Sequence, residues 1–202
     1  PGAVSGNIVP GAQHINKIAI RNNGGVSEVF VAVADSYYGD ANATTYMGAN
    51  NYGVYKTNDG GASWNLLNLP LTAAGNKHCP NDIEIGADNK IWVATKTSFS
   101  RGDGGGKVFC SADGGATFTA ISAGLPTNSS PLYISISNTN PDFAIVVYSG
   151  YVAANKVFKT TNGGTTWTSL AAGLPNVPVN CVVYENNSPV DAFYIGTDIG
   201  VF

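Results

Sequence analysis

Apolar residues in this chain come in short runs rich in valine, isoleucine and aromatics, each cut off by glycine, asparagine, serine or proline. Lys90-Ile91-Trp92-Val93-Ala94-Thr95 and Phe143-Ala144-Ile145-Val146-Val147-Tyr148 are typical, being too short for helices and bounded by Asp88-Asn89 and by Ser149-Gly150. They predict strands. In chain order the runs fall into sets of four, at 16–21, 28–35, 52–57 and 63–69, then 82–87, 90–97, 107–111 and 117–122, then 132–137, 143–149, 156–160 and 166–170. A fourth set opens at 179–185 and 192–197 and reaches its third strand at Val201-Phe202. Leu69-Pro70, Leu125-Pro126 and Leu174-Pro175 close the complete sets, where a residue without an N–H suits a strand exit.

Between the third and fourth strands of each complete set stands one phrase. Val54-Tyr55-Lys56-Thr57-Asn58-Asp59-Gly60-Gly61-Ala62-Ser63-Trp64 returns as Val108 to Phe118 and as Val157 to Trp167. The shared pattern, Ser/Thr-x-Asp/Asn-x-Gly-x-Ser/Thr-Trp/Phe, is carried by Thr57, Asp59, Gly61 and Trp64, by Ser111, Asp113, Gly115 and Phe118, and by Thr160, Asn162, Gly164 and Trp167. Its period of roughly 50 residues is close to one four-stranded propeller blade. The side-chain oxygen can accept backbone N–H groups inside a turn, the glycines allow positive φ, and the aromatic resumes a strand. A catalytic or metal-binding role would need the carboxylate charge, which Asn162 lacks, so the phrase reads as a hairpin connector.

The phrase resembles the Asp-box, or BNR repeat, of sialidases, sortilin-type receptors, xyloglucan-cleaving glycosidases and large secreted bacterial proteins. The stretch from Ala172 to Phe202 is similar to the sortilin-like propeller domains of Bacteroidota-type surface proteins. The resemblance implies an all-β fold, a β-propeller of four-stranded antiparallel blades, with 1–202 as a partial propeller domain. Blade 1 is expected at about 12–70, blade 2 at about 80–126, blade 3 at about 131–175 and the start of a fourth at about 178–202. Three and a half blades do not close a ring of typically about four to eight, so the remaining blades are expected from the same or another chain.

Composition narrows the partners. Only 11% of the 202 residues are charged, the net charge is −3, and Arg21 and Arg101 are the only arginines. No basic patch for nucleic acid follows, and no apolar run reaches the roughly 18 residues that cross a bilayer. The first residues lack the regions of a signal peptide, so an export signal is expected outside this sequence, with the protein secreted or at a bacterial cell surface. Cys79, Cys110 and Cys181 fit neither a disulfide scaffold nor a zinc spacing. Cys110 falls where the other copies place Lys56 and Lys159, which reads as a replaceable surface position. His78 and Lys77, in the connection to the second set, and His14, before the first, have no paired nucleophile, and His78 reads as a surface residue.

Antiparallel order puts the repeated hairpins at one end of the blades and the long connections at the other, where a site is expected. The connection at 36–51 carries Tyr37, Tyr38, Asp40 and Tyr46, flat apolar faces beside hydrogen-bonding groups, as a sugar ring requires. The connection at 98–106 carries Phe99 and Arg101-Gly102-Asp103, which resembles the integrin-binding tripeptide, a match three residues long that arises often by chance. Its acidic, glycine-rich stretch offers Ca²⁺ a place without the spacing of an EF-hand loop, and no cofactor is otherwise expected. Asp35 and Asp198 each end a second strand. Thr197-Asp198-Ile199-Gly200 resembles the Thr-Asp-x-Gly motif that supplies a catalytic acid in xyloglucan-cleaving propellers. Two carboxylates about 6.5 to 9.5 Å apart suit inverting hydrolysis, and the same residues also suit turn caps. The sialidase constellation of three arginines and a tyrosine nucleophile is not matched.

Three functions follow. The first is a binding or adhesion scaffold for polysaccharide or a cell-surface glycan; the second is a glycoside hydrolase working through Asp35 and Asp198; the third is a structural blade array of a surface assembly.

Overall fold

A computed structural model describes residues 14–34, 52–96 and 105–202. Among them are fifteen strands and no helix, in four antiparallel sheets that follow chain order. The first sheet is β1 (His14–Asn23), β2 (Val26–Ala34), β3 (Gly53–Thr57) and β4 (Asn65–Leu67). The second is β5 (Cys79–Ile85), β6 (Ile91–Lys96), β7 (Val108–Ser111) and β8 (Thr119–Ala120). The third is β9 (Pro131–Ile136), β10 (Ala144–Tyr148), β11 (Val157–Thr160) and β12 (Thr168–Ser169), and a fourth holds β13 (Val179–Tyr184), β14 (Phe193–Thr197) and β15 (Gly200–Val201). Each is a meander, and together they are about three and a half blades of a β-propeller.

The strands fall where the apolar runs do, with one systematic difference. The expected outer strands at 63–69, 117–122 and 166–170 shrink to the two or three residues of β4, β8 and β12. These strands lie mostly exposed at the rim, so packing gives them little support. The aromatic ahead of each one turns instead into a core.

Sheets stack face to face, which buries the second strand on both sides: every residue of β10 is buried. Phe30, Ala32 and Val54 of the first blade meet Ile83, Val93 and Phe109 of the second. Trp92, Ala94 and Val108 meet Val146, Phe158 and Trp167, and Ile145, Val147 and Val157 meet Val182, Tyr184 and Ile195. These three cores therefore lie between blades, while Val31, Val33 and Tyr55 form a smaller cluster with Trp64 inside the first blade.

Four inner strands share one irregularity. The register of β1, β5, β9 and β13 against its neighbour slips by one residue at Asn16, Asn81, Leu132 and Asn180. Such a bulge re-aims a side chain. Asn16 Nδ2 donates to the Pro80 carbonyl at 3.0 Å and Asn81 Nδ2 to the Pro131 carbonyl at 2.8 Å, so each bulge ties its blade to the next. Beside Asn81, the fully buried Asp82 accepts from the backbone N–H of Ile83 and, across the joint, from that of Ile134, both at 2.9 Å. Lys17 Nζ stands 3.5 Å away and is shared with Glu84 at 2.5 Å.

Burial pushes the Asp82 carboxyl up to about 6, against the pull of the Ile134 N–H and Lys17. An acid whose folded pKa exceeds its unfolded value of roughly 3.9 stabilises the fold most below that value, and the benefit is lost as pH rises towards 6. Asp82→Asn removes the buried charge and keeps an acceptor for Ile134, while the Ile83 N–H, which bonds the other oxygen, then faces the amide nitrogen. Its unfolding free energy at pH 7 is expected to stay near the native value, relief of the buried charge offsetting that lost acceptor, whereas Asp82→Ala is expected to lose about 1 to 3 kcal/mol by orphaning both N–H groups. Urea titrations at pH 7 and pH 5 check both, because Asp82→Asn should flatten the difference between the two pH values.

The repeated hairpins are built alike. Asp59 Oδ1 accepts from Ser63 N at 3.0 Å and from Thr57 Oγ1 at 2.7 Å, while Ser63 Oγ donates to Oδ2 at 2.5 Å. Asp113 repeats this with Thr117 and Ser111. The hydroxyls of Ser63 and Thr117, with the N–H groups behind them, hold both carboxyls well below the usual carboxylate range. Asn162 keeps the geometry with one bond reversed, since its Nδ2 donates to Thr166 Oγ1 at 2.8 Å. Rotating one hydroxyl restores the aspartate pattern, so Asn162→Asp is expected to change the melting temperature by no more than a degree or two. A larger shift in a thermal melt would mean that charge matters in this turn.

Candidate functional site

The hairpins 57–64, 111–118 and 160–167 occupy one end of the blades, and the second-to-third-strand and inter-blade connections occupy the other. Of the residues singled out from sequence, Asp35, Tyr37, Tyr38, Asp40, Tyr46, Phe99, Arg101 and Asp103 lie outside the described residues, and with them all but Gly105 and Gly106 of the stretch considered for Ca²⁺. Among the described residues no group of three histidine, cysteine or carboxylate side chains could hold a metal ion.

Asp198 is described. It is exposed on a two-residue hairpin between paired Thr197 and Gly200, a turn fastened by Thr197 Oγ1 donating to the Gly200 carbonyl at 2.8 Å. Its Oδ1 accepts from Asn180 Nδ2 at 2.6 Å, so the bulge amide that elsewhere reaches the following blade is here turned onto Asp198. Strand pairing places Thr197 level with Val33 and hence Asp198 level with Ala34.

His78 departs from the surface position expected of it. It is 5% exposed, its Nδ1 lies 3.2 Å from Thr95 Oγ1, and its ring meets Phe109 edge-on at 4.9 Å. Thr95 Oγ1 also donates to the Lys107 carbonyl and accepts from Lys107 N, both at 3.0 Å. The connection between β4 and β5 carries the chain from the rim to the inner strand, and His78, next to β5, is drawn inward with it. Tyr52, Leu66, Leu69, Leu71, Lys77 and His78 line a cleft there.

Cys110 is not a free surface position either. It is half-buried against the core between the second and third blades, and burial pushes its thiol up to about 11. A thiol so protonated is a poor nucleophile.

Similar solved structures include the GH74 xyloglucanase from Xanthomonas campestris, 13% identical, with a TM-score of 0.65 over 96% of this chain and 30% of that one. The Niastella koreensis GH74 enzyme is 19% identical, with a TM-score of 0.58 over 90% of this chain and 27% of that one. The NanB sialidase from Streptococcus pneumoniae is 11% identical, with a TM-score of 0.52 over 95% and 44%. The likeness is one of fold. This chain spans about a third or less of the two GH74 structures. No protein-family model and no curated protein matches it.

Sequence reasoning passed over the connection between β10 and β11, where Tyr151 is exposed and Lys156 wholly buried. The aromatic-in-a-long-connection criterion that selected Tyr37 and Tyr46 selects Tyr151 as well; the burial of Lys156 had no sequence signal.

Proposed function

We propose that this chain is a segment of a secreted or cell-surface Asp-box propeller of bacterial origin that serves as a binding and adhesion scaffold for polysaccharide. The observation that carries the reading is the division of labour between the two ends. One end is closed by three near-identical hairpins whose polar atoms are consumed internally, and the other bears the five longest connections, β2–β3, β4–β5, β6–β7, β8–β9 and β12–β13. Two of the similar folds are named for glycan-cleaving activities, which favours a carbohydrate ligand for the open end. The hydrogen bonds of Asp59, Asp113 and Asn162 suit a purely structural box.

The remaining blades are the second class of partner. Val183, Tyr194 and Val201 lie on the outer face of the fourth sheet at 51 to 73% exposure, at the places that face a neighbouring blade elsewhere. A further blade of the same or another chain would cover them. Nucleic acid is not a partner in this reading, and among the described residues no helix is long and apolar enough to cross a membrane.

The second reading, a glycoside hydrolase, is favoured by the GH74 likeness and places Asp198 at the reacting bond. A glycan array and a reducing-end assay on xyloglucan separate the two. Binding without new reducing ends supports the scaffold; hydrolysis abolished by Asp198→Asn establishes the enzyme.

A further inference from the structure

Tyr151 is the most exposed aromatic among the described residues, at 68%, and Val152 beside it is 59% exposed. Leaving both in water gives up the benefit of burying a large apolar side chain. Inter-blade packing does not account for them. The exposed residues of the fourth sheet sit on a strand face that a neighbour would cover, whereas Tyr151 stands on the connection between β10 and β11, at the end bearing the long connections.

This connection is tied down. Asn155 N donates to the Val152 carbonyl at 2.9 Å, Tyr148 N to the Lys156 carbonyl at 2.8 Å, and Ser169 Oγ to the Ala154 carbonyl at 3.5 Å. Gly150 has a φ of +105°, which a larger residue would adopt only with strain. Beneath the tip, Lys156 Nζ donates to the Gly150 carbonyl and lies 5.9 Å from the Tyr151 ring centroid, within the range of a cation–π contact. The Lys156 side chain is wholly buried and has no carboxylate partner among the described residues. Burying an ammonium without a counter-ion opposes folding. Lys107, at the same register position of the second blade, is half-exposed, so the blade itself does not require the burial. The lysine holds one loop and presents one ring.

We infer that Tyr151 is a stacking platform for a pyranose ring of a polysaccharide, with Lys156 as the residue that positions it. A sugar ring offers an apolar C–H face to the exposed side of the phenol while its hydroxyls stay in water or reach the exposed Ser149 hydroxyl in the same connection. The inference rests on the carbohydrate-binding reading and names a contact for it. The full chain is titrated with soluble xyloglucan as a neutral probe and polygalacturonate as an acidic one, alongside Tyr151→Ala and Tyr151→Trp. Tyr151→Ala should bind about tenfold more weakly, the size of one aromatic contact, and Tyr151→Trp should stay within about twofold of the native chain. Its thermal melt should not move, because the ring is on the surface. Native binding that Tyr151→Ala leaves intact overturns the platform while the carbohydrate reading stands. A native chain that binds neither probe overturns both.

Discussion

Replacing Glu28 by alanine is expected to destabilise the protein by about 3 to 5 kcal/mol at neutral pH, the usual consequence of removing one member of a buried ion pair. Glu28 is 4% exposed and accepts from Arg21 Nε and from Lys56 Nζ, each at 2.5 Å. Arg21 also donates to the Asn89 carbonyl of the second blade at 2.6 Å, and both cations stand over the Phe30 ring, at 5.3 and 5.7 Å. Without the carboxylate, two cations remain at the joint between the first and second blades with carbonyls and one ring for company. Burial alone would raise the Glu28 pKa, but Lys56 and Arg21 outweigh it and hold the carboxyl below its usual range. A depressed carboxylate stabilises the fold above its unfolded pKa, roughly 4.3, and loses that contribution as pH falls through the folded value. Native protein should therefore lose stability below about pH 4, and Glu28→Ala should lose less over the same interval. Urea unfolding at pH 7 and pH 3 measures both. A loss under 1 kcal/mol at pH 7 would mean that water reaches the cluster. Replacing the more deeply buried pair, Glu28→Leu with Arg21→Met, should recover part of the loss, because only the partly exposed Lys56 then lacks its partner.

The Glu28 site also shows what the sequence could and could not disclose. Arg21 and Glu28 face each other because Gly24-Gly25 makes a two-residue turn between Asn23 and Val26, with φ of +60° and +89°. That pairing follows from local pattern alone. The contributions of Lys56 and Asn89 come from other strands and another blade, and local pattern does not reach them. The same division holds throughout. Strand positions and the three hairpins were legible because alternation and turn chemistry act over a few residues. The burial of His78, Asp82 and Lys156 was not, since each depends on what the next strand or blade places against it. The bulges at Asn16, Asn81 and Asn180 lie between: an asparagine recurs near the start of three inner strands, yet only the pairing register tells that it is an inserted residue. At the open end the resemblance led to Asp198, and side-chain chemistry led to the tyrosine-rich connection. Tyr151 was available by the same criterion, but only the lysine buried beneath it sets it apart from an ordinary exposed side chain.

Trp167→Ala is expected to cost about 3 to 5 kcal/mol and to split the unfolding transition in two. Trp167 is 7% exposed in the core between the second and third blades, edge-on to Trp92 at 6.4 Å, and its Nε1 donates to the Ile121 carbonyl at 2.7 Å. Ile121 also lies where a side chain at Gly164 would collide with it, 2.6 Å from the site of an added Cβ. The third hairpin is thus seated on the outer strand of the second blade. The second hairpin sits on the first blade in the same way, with Phe118 in the core beside Leu67 and Leu69 and with Gly115 against Leu67. A phenylalanine therefore already performs this role in the chain. Trp167→Phe should keep the packing, lose only the hydrogen bond and cost about 1 kcal/mol. In a stack where each blade touches only its neighbours, weakening one joint uncouples the two halves while each half keeps its own inter-blade core. Calorimetry should show a single transition for the native chain and for Trp167→Phe, and two for Trp167→Ala, with the lower one more sensitive to denaturant than to pH. A single, uniformly shifted transition in Trp167→Ala would show that the joint between the second and third blades still couples them without this ring, through the Asn81 amide and Asp82 on the inner strands.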